Sequence, residues 1–389
     1  VPEEDDEPSL SPVEAPVAAP DDTEAPTVAE VETSEPTEAD SSSPSSPVAS
    51  TTVTSGPAPA PVMSVFPFAT PTDAPDDELV SGLGDSGAGS SPIEAKCGMS
   101  ERERNDDMLS IISGVSPHVN DVGTPQFQAR DWLLSQDDAI LCPHDEDRVV
   151  QRYIIALFYF ALGGDGWLVG SRYSEPIEGR TPWLSADHEC IWIGLGCHQE
   201  PSDDFLLSVD EAAPLLFMEL DQNGLVGSIP EETYLLTEFE LVRLGYQEIT
   251  GTLSNNIGML RNLRFFDIDY AGLSGPLPPQ LWTLERLQAL DLNNNDLTGE
   301  IPAEIENLQD LAVLQLQGNR LSGNVPADAL AKLPFLVNLY LEQNTNLTGS
   351  LEPLCAVVND RRQDFHMFLQ FATVDCATIS CTCCENCSM

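Results

Sequence analysis

Five residues could do chemistry together: Asp267, Asp269 and Asp291, with Tyr246 and Tyr270. The two tyrosines are 24 residues apart, and so are Asp267 and Asp291. A chain that coils once every 24 residues would stack them in columns. Grouped carboxylates have three chemical uses. They catalyse glycoside cleavage when an apolar pocket raises the pKa of one of them. They supply oxygens to a hard cation such as calcium. They also draw in a basic ligand, while neighbouring aromatic rings stack on a sugar or peptide. The sequence indicates no cleft, and acids on an open sheet are expected to stay wet with ordinary pKa values. No catalytic residue is therefore assigned, and with no calcium-loop motif present no metal is assigned either.

The cysteines are the second reactive set: Cys97, Cys142, Cys190, Cys197, Cys355, Cys376, Cys381, Cys383, Cys384 and Cys387. The last four could supply thiolates to zinc. Their spacing matches no paired CxxC frame, and the adjacent Cys383 and Cys384 fit one tetrahedral ion poorly. Disulfides in an oxidising compartment are the expected reading, with connectivity left open. The five histidines are scattered and form no nucleophile motif. No cofactor is expected. Two sequons, at Asn346 and Asn386, are candidate glycosylation sites compatible with secretion.

The elements that position these residues follow from composition. Residues 1–95 contain no Lys, Arg, Cys, Trp or Tyr and are rich in Pro, Ser, Thr, Ala, Asp and Glu. Such a stretch has too little apolar surface to offset the entropy of ordering, so a disordered acidic arm is expected. The net charge of -48 argues against nucleic acid or anionic membrane as a partner. No stretch reaches the ~20 apolar residues that span a bilayer. The acidic start at Val1 does not read as a signal peptide, so a processed product is expected. That leaves open membrane anchoring through a removed N-terminal segment.

From Leu215 onward the chain repeats itself. Leu215, Phe239, Leu263, Leu287, Leu311 and Leu336 are spaced by 24, 24, 24, 24 and 25 residues. The fourth unit runs Leu287, Leu290, Leu292, Asn295, Leu297, Gly299, Ile301 and Pro302, and the fifth repeats these offsets. Leu290 and Leu292 are two apart, so on a short strand both face the interior. An inward Asn295 can hydrogen-bond the backbone of neighbouring turns and form a ladder. Gly299 allows a tight turn, and Pro302 opens an outer segment. Gln247 and Ala271 stand where Asn is otherwise kept, so those turns are expected to lose ladder bonds and to be looser.

These offsets resemble the plant-type leucine-rich-repeat family, whose unit reads LxxLxLxxNxLxGxIPxxLxxLxxL. The resemblance implies an α/β fold. It predicts a right-handed solenoid with a parallel concave sheet, short convex helical segments and a cap at each end. Cys190-Ile-Trp192-Ile-Gly194-Leu-Gly-Cys197 is similar to the family's N-terminal cap motif CxWxGxxC, which implies a Cys190–Cys197 disulfide. Apolar residues at helical spacing across 148–162, ending at Gly163-Gly164, predict a cap helix, with Trp167 and Trp183 between it and the cysteine motif. Leu354, Cys355 and the run 365–371 are expected to seal the last turn. The Cys-rich tail and the segment 126–133 are similar to extracellular repeat proteins of diatoms and related algae. The expected division is an arm at 1–95, a helical region and cap at 96–214, six repeats at 215–351 and a Cys-rich cap at 352–389.

Read down the coil, the outward strand positions give an apolar column through Phe217, Leu241, Phe265 and Val313. Beside it runs a polar column through Glu219, Arg243, Asp267, Asp291 and Tyr340. Asp221 and Asp269 share the next column, and Tyr246 and Tyr270 the last. The candidate ligand-binding set is Phe217, Glu219, Asp221, Arg243, Tyr246, Phe265, Asp267, Asp269, Tyr270, Asp291 and Tyr340. The function expected is recognition or adhesion at the cell surface or outside the cell, with protein or carbohydrate as partner and no enzyme activity. The alternatives are a cell-wall or matrix component and an inhibitor of a secreted hydrolase.

Overall fold

A computed structural model describes residues 91–175, 177–197, 213–361, 369–384 and 386–388. The acidic arm lies outside the described residues up to residue 90. Its expected last residues belong to α1 (Pro92–Cys97), where Ser91 caps the helix by accepting from the Glu94 N–H at 3.1 Å. The helical region therefore starts inside the segment assigned to the arm. It continues through α2 (Glu101–Val115), α3 (Pro125–Ser135) and α4 (Glu146–Ala161). The segment expected as the cap helix is α4, which ends before the left-handed Gly163.

From Val149 to Tyr159 nearly all of α4 is buried, including the charged Arg152. Burying a guanidinium is costly unless its donors are satisfied. Arg152 binds Asp137 through two nitrogens at 2.7 Å each and Glu189 at 2.6 Å. It also donates to the carbonyls of Ser185 and Asp187, between the rings of Trp132 and Trp192. Trp167 and Trp183 pack edge to face at 4.9 Å, completing an aromatic cap core with Phe158 and Tyr159. Gln151 ties this cap to the first repeat by accepting from the Leu215 N–H at 3.0 Å.

Two strands alternate along the coil in each turn. The first set is β1 (Leu195–Gly196), β2 (Phe217–Glu219), β4 (Leu241–Arg243), β6 (Phe265–Asp267), β8 (Ala289–Asp291), β10 (Val313–Gln315), β12 (Asn338–Tyr340), β14 (Phe371–Asp375) and β16 (Asn386–Ser388). They pair in that order as one sheet, parallel except where β1 joins β2 antiparallel. Interleaved with them are β3 (Val226–Gly227), β5 (Glu248–Thr252), β7 (Gly272–Pro276), β9 (Asp296–Gly299), β11 (Arg320–Asn324), β13 (Asn346–Ser350) and β15 (Ile379–Ser380). These form a second parallel sheet that the repeat pattern did not announce. Its hydroxyls make their own ladder: Thr250, Ser274, Ser322 and Thr348 each donate to a glycine carbonyl one turn back, at 3.1–3.3 Å.

The inward leucines form one continuous core with the cap. Asn295 Oδ1 accepts from the Leu273 N–H at 3.0 Å, and its amide nitrogen donates to the Ile268 carbonyl at 2.8 Å. Asn319 and Asn344 repeat this one turn later each. The expectation for Gln247 is corrected. Its longer amide accepts from the Leu225 N–H at 2.9 Å and donates to the Leu220 carbonyl, so that rung is kept. Ala271 alone has no side-chain group to offer. Asn223 ends the ladder on the cap, accepting from the Val169 N–H and donating to the Val169 carbonyl.

Outer segments are short 3-10 turns, such as Glu231–Leu235 and Ala303–Asn307, then α5 (Ala327–Leu330). In the C-terminal cap, α6 (Glu352–Arg361) buries Leu354 and Cys355. Most of the run 365–371 lies outside the described residues. Within it Leu369 is buried, whereas Phe371 is 46% exposed and does not seal the turn. Disulfides join Cys97–Cys142, Cys190–Cys197, Cys355–Cys383 and Cys381–Cys384. Cys376 is also disulfide-bonded, and the Cys387 side chain lies outside the described residues. Asn346 is exposed on β13, while the Asn386 side chain lies outside the described residues.

Candidate functional site

The strand register aligns Phe217, Leu241, Phe265, Ala289, Val313, Asn338 and Phe371 in one row across the concave sheet. Phe217, Leu241 and Val313 are half-buried, and Phe265 is 39% exposed. Phe371 was missed because it lies in the tail, beyond the repeat period that revealed the other positions. The next row is Glu219, Arg243, Asp267, Asp291, Gln315, Tyr340 and Thr373.

Arg243 sits among three carboxylates, 3.1 Å from Glu219 and 3.7 Å from both Asp221 and Asp267. Among the described residues no basic side chain pairs with Asp269 or Asp291. One oxygen from each of Asp267, Asp269 and Asp291 lies within 4.8 Å of the others. Gly245 makes this approach possible: a Cβ there would meet Asp269 Oδ1 at 2.0 Å, while its N–H donates to Asp221 Oδ1 at 2.8 Å. Asp291 accepts from the Asn293 backbone at 3.1 Å and from the Gln315 amide.

The expectation of ordinary pKa values is overturned. Each of the three carboxyls is pushed up to about 6, first because burial strips water from the charged form. Mutual repulsion adds to this: Asp269 and Asp221 act on Asp267, Asp291 and Asp221 on Asp269, and Asp267 on Asp291. Sequence spacing gives the column but not how far its neighbours exclude water. The trio offers oxygens of the kind that calcium takes, with most of the usual six to eight left to other donors.

The last column lies in the turn that leaves the strand. Gln222, Tyr246, Tyr270, Asn294, Gly318 and Gln343 all adopt left-handed backbone, with φ between 44° and 69°. For tyrosine this is an unfavourable conformation. It turns both rings outward, 52% and 48% exposed, where they stack with centroids 4.5 Å apart. The structure thus gathers Glu219, Asp221, Arg243, Tyr246, Asp267, Asp269, Tyr270 and Asp291 into one patch flanked by Phe217 and Phe265. Tyr340 is not brought to the carboxylate trio: it is half-buried two strands beyond Asp291.

The Leucine Rich Repeat family signature matches residues 286–308. Comparison with curated proteins gives no match. Among solved structures the chain is similar to a TDR receptor, at 33% identity over 36% of this chain and 24% of that one, TM-score 0.34. It is also similar to a plant peptide hormone receptor, RGFR1 in complex with RGF2, at 31% identity over 42% of this chain and 23% of that one, TM-score 0.35. A third is the ectodomain of the receptor kinase SOBIR1 from Arabidopsis thaliana, at 19% identity over 51% of this chain and 94% of that one, TM-score 0.40. The chain spans about a quarter of the length of the first two. The period, the inward leucines, the amide ladder and the matched repeat at 286–308 describe a leucine-rich-repeat solenoid with disulfide-bonded caps.

Proposed function

We propose that this protein is an extracellular recognition or adhesion module whose concave face, between β2 and β8, takes a protein or glycan ligand. The observation that carries the reading is the exposed Tyr246–Tyr270 stack beside Asp269 and Asp291, which have no basic partner among the described residues. Stacked rings offer flat apolar area, and the carboxylates accept hydrogen bonds from ammonium, guanidinium or sugar hydroxyl groups. The unbalanced negative charge favours a basic protein segment over a neutral glycan. Disulfides at both ends support an oxidising location. No described helix is long and apolar enough to cross a membrane.

The test is a binding screen of the full chain against basic secreted peptides and neutral cell-wall glycans. Tyr246→Ala/Tyr270→Ala and Asp267→Asn/Asp269→Asn variants run alongside. Saturable binding lost in both folded variants supports the reading. Self-association without a ligand favours a matrix component, and one-to-one capture of a secreted hydrolase favours an inhibitor.

A further inference from the structure

Two disulfides of the C-terminal cap lie in contact. Cys355 is bonded to Cys383 and Cys381 to Cys384. Yet Cys381 Sγ also lies 3.7 Å from Cys355 Sγ and 4.0 Å from Cys383 Sγ. Sulfurs at that separation touch, so a thiolate released at Cys381 would lie beside a second disulfide and need only swing to the far side of Cys355 Sγ to attack in line. The Cys383 N–H also donates to the sulfur of its own disulfide partner, Cys355 Sγ, at 3.2 Å.

The pairs differ in accessibility. Cys190 and Cys197 are both buried, as are Cys142 and Cys355 in their own pairs. Cys381 and Cys384 are both half-exposed, and among the pairs described theirs alone has no buried member. It also closes the shortest loop, with a sequence separation of 3 against 45, 7 and 28 for the others. A short loop gives a disulfide the least entropic protection, and exposure gives a reductant access.

We propose that the C-terminal cap is a thiol–disulfide exchange site that responds to low-molecular-weight thiols. Two thiol molecules reduce Cys381–Cys384: they leave as their own disulfide, and Cys381 and Cys384 become thiols. The Cys381 thiolate then attacks Cys355 Sγ. A Cys355–Cys381 bond forms, the Cys355–Cys383 bond breaks, and the electron pair leaves on Cys383 sulfur, which takes up a proton. This second step is an isomerisation with no net oxidation. Its product keeps α6 tied to the tail through Cys355 and exposes a vicinal Cys383-Cys384 dithiol. The cap therefore stays closed while presenting a reactive pair that can form mixed disulfides with an external thiol or partner.

The experiment treats the full chain with graded glutathione under native conditions. Acid quenching, blocking with N-ethylmaleimide, full reduction and labelling with iodoacetamide follow, and tandem mass spectrometry then reads each cysteine. The expected first species carries N-ethylmaleimide on Cys383 and Cys384, with Cys381 and Cys355 protected. N-ethylmaleimide on Cys381 and Cys384 instead would show reduction without exchange and overturn the proposal. So would earlier reduction of Cys97–Cys142 or Cys190–Cys197. A Cys384→Ser variant gives an independent reading. It should yield Cys355 cross-linked to both Cys381 and Cys383 in a mixture, whereas Cys355–Cys383 alone would count against exchange.

Discussion

Tyr246 and Tyr270 stack face to face, centroids 4.5 Å apart and planes 12° apart, on backbone that both hold in the left-handed region. The stack needs both conditions. One repeat of the coil brings the two side chains into register, and the positive φ turns them away from the sheet. A left-handed tyrosine costs on the order of 1 kcal/mol or more, which asparagine avoids in part through its short polar side chain. Tyr246→Asn should therefore unfold at the parent's temperature or slightly above it while losing ligand. Thermal unfolding and binding measured on the same sample check this; a large loss of stability would show that the rings hold the coil together.

The carboxylate trio predicts how stability depends on pH. Asp267, Asp269 and Asp291 titrate near 6 in the fold and near the ordinary aspartate value when unfolded. The folded state thus binds more protons between about pH 4 and pH 6, so the trio's contribution is present below that window and lost as pH rises through it. The triple variant Asp267→Asn/Asp269→Asn/Asp291→Asn should flatten the fall in melting temperature between pH 4.5 and 7.5. Equal slopes in parent and variant would contradict the raised values.

The ladder has one gap, and filling it should stabilise the coil. Asn295 bonds the Leu273 N–H one turn back, and Gln247 does the same for Leu225. Ala271 occupies the equivalent place between them. Ala271→Asn is expected to add about 1 kcal/mol, the net contribution of a made hydrogen bond. Gln247→Leu should cost about 1–3 kcal/mol by leaving buried backbone groups unpaired. Urea midpoints of the two variants should move in opposite directions.

Arg152 is the point of greatest vulnerability in the N-terminal cap. Its removal leaves the buried Asp137 carboxylate without its ionic partner and Glu189 with the longer contacts to Arg148 and His188. Arg152→Ala should cost about 3–5 kcal/mol. Because the cap covers the first turn, loss of near-ultraviolet tryptophan signal should accompany early exposure of Leu215 to hydrogen exchange.

Much of this was legible in the sequence because a 24-residue period converts offsets into positions. The Phe217 and Glu219 rows followed from that arithmetic alone. What the period could not show was anything set by neighbours off the repeat. The half-burial behind the raised Asp267 and Asp291 pKa values depends on side chains across adjacent turns. Gln247 defeats a rule written for Asn because one more methylene still reaches the Leu220 carbonyl. Phe371 follows a non-repeating segment, and the second sheet was marked only by the hydroxyl residues before the turn glycines, Thr250, Ser274, Ser322 and Thr348, a column the leucine pattern does not bring forward.

The most direct test of the concave-face account is hydrogen exchange on the full chain with and without a captured ligand. The account predicts slowed exchange concentrated in 241–246, 265–270 and 289–294, lost in the Tyr246→Ala/Tyr270→Ala variant. Protection confined to the second sheet or the outer turns, with these three segments unchanged, would contradict it.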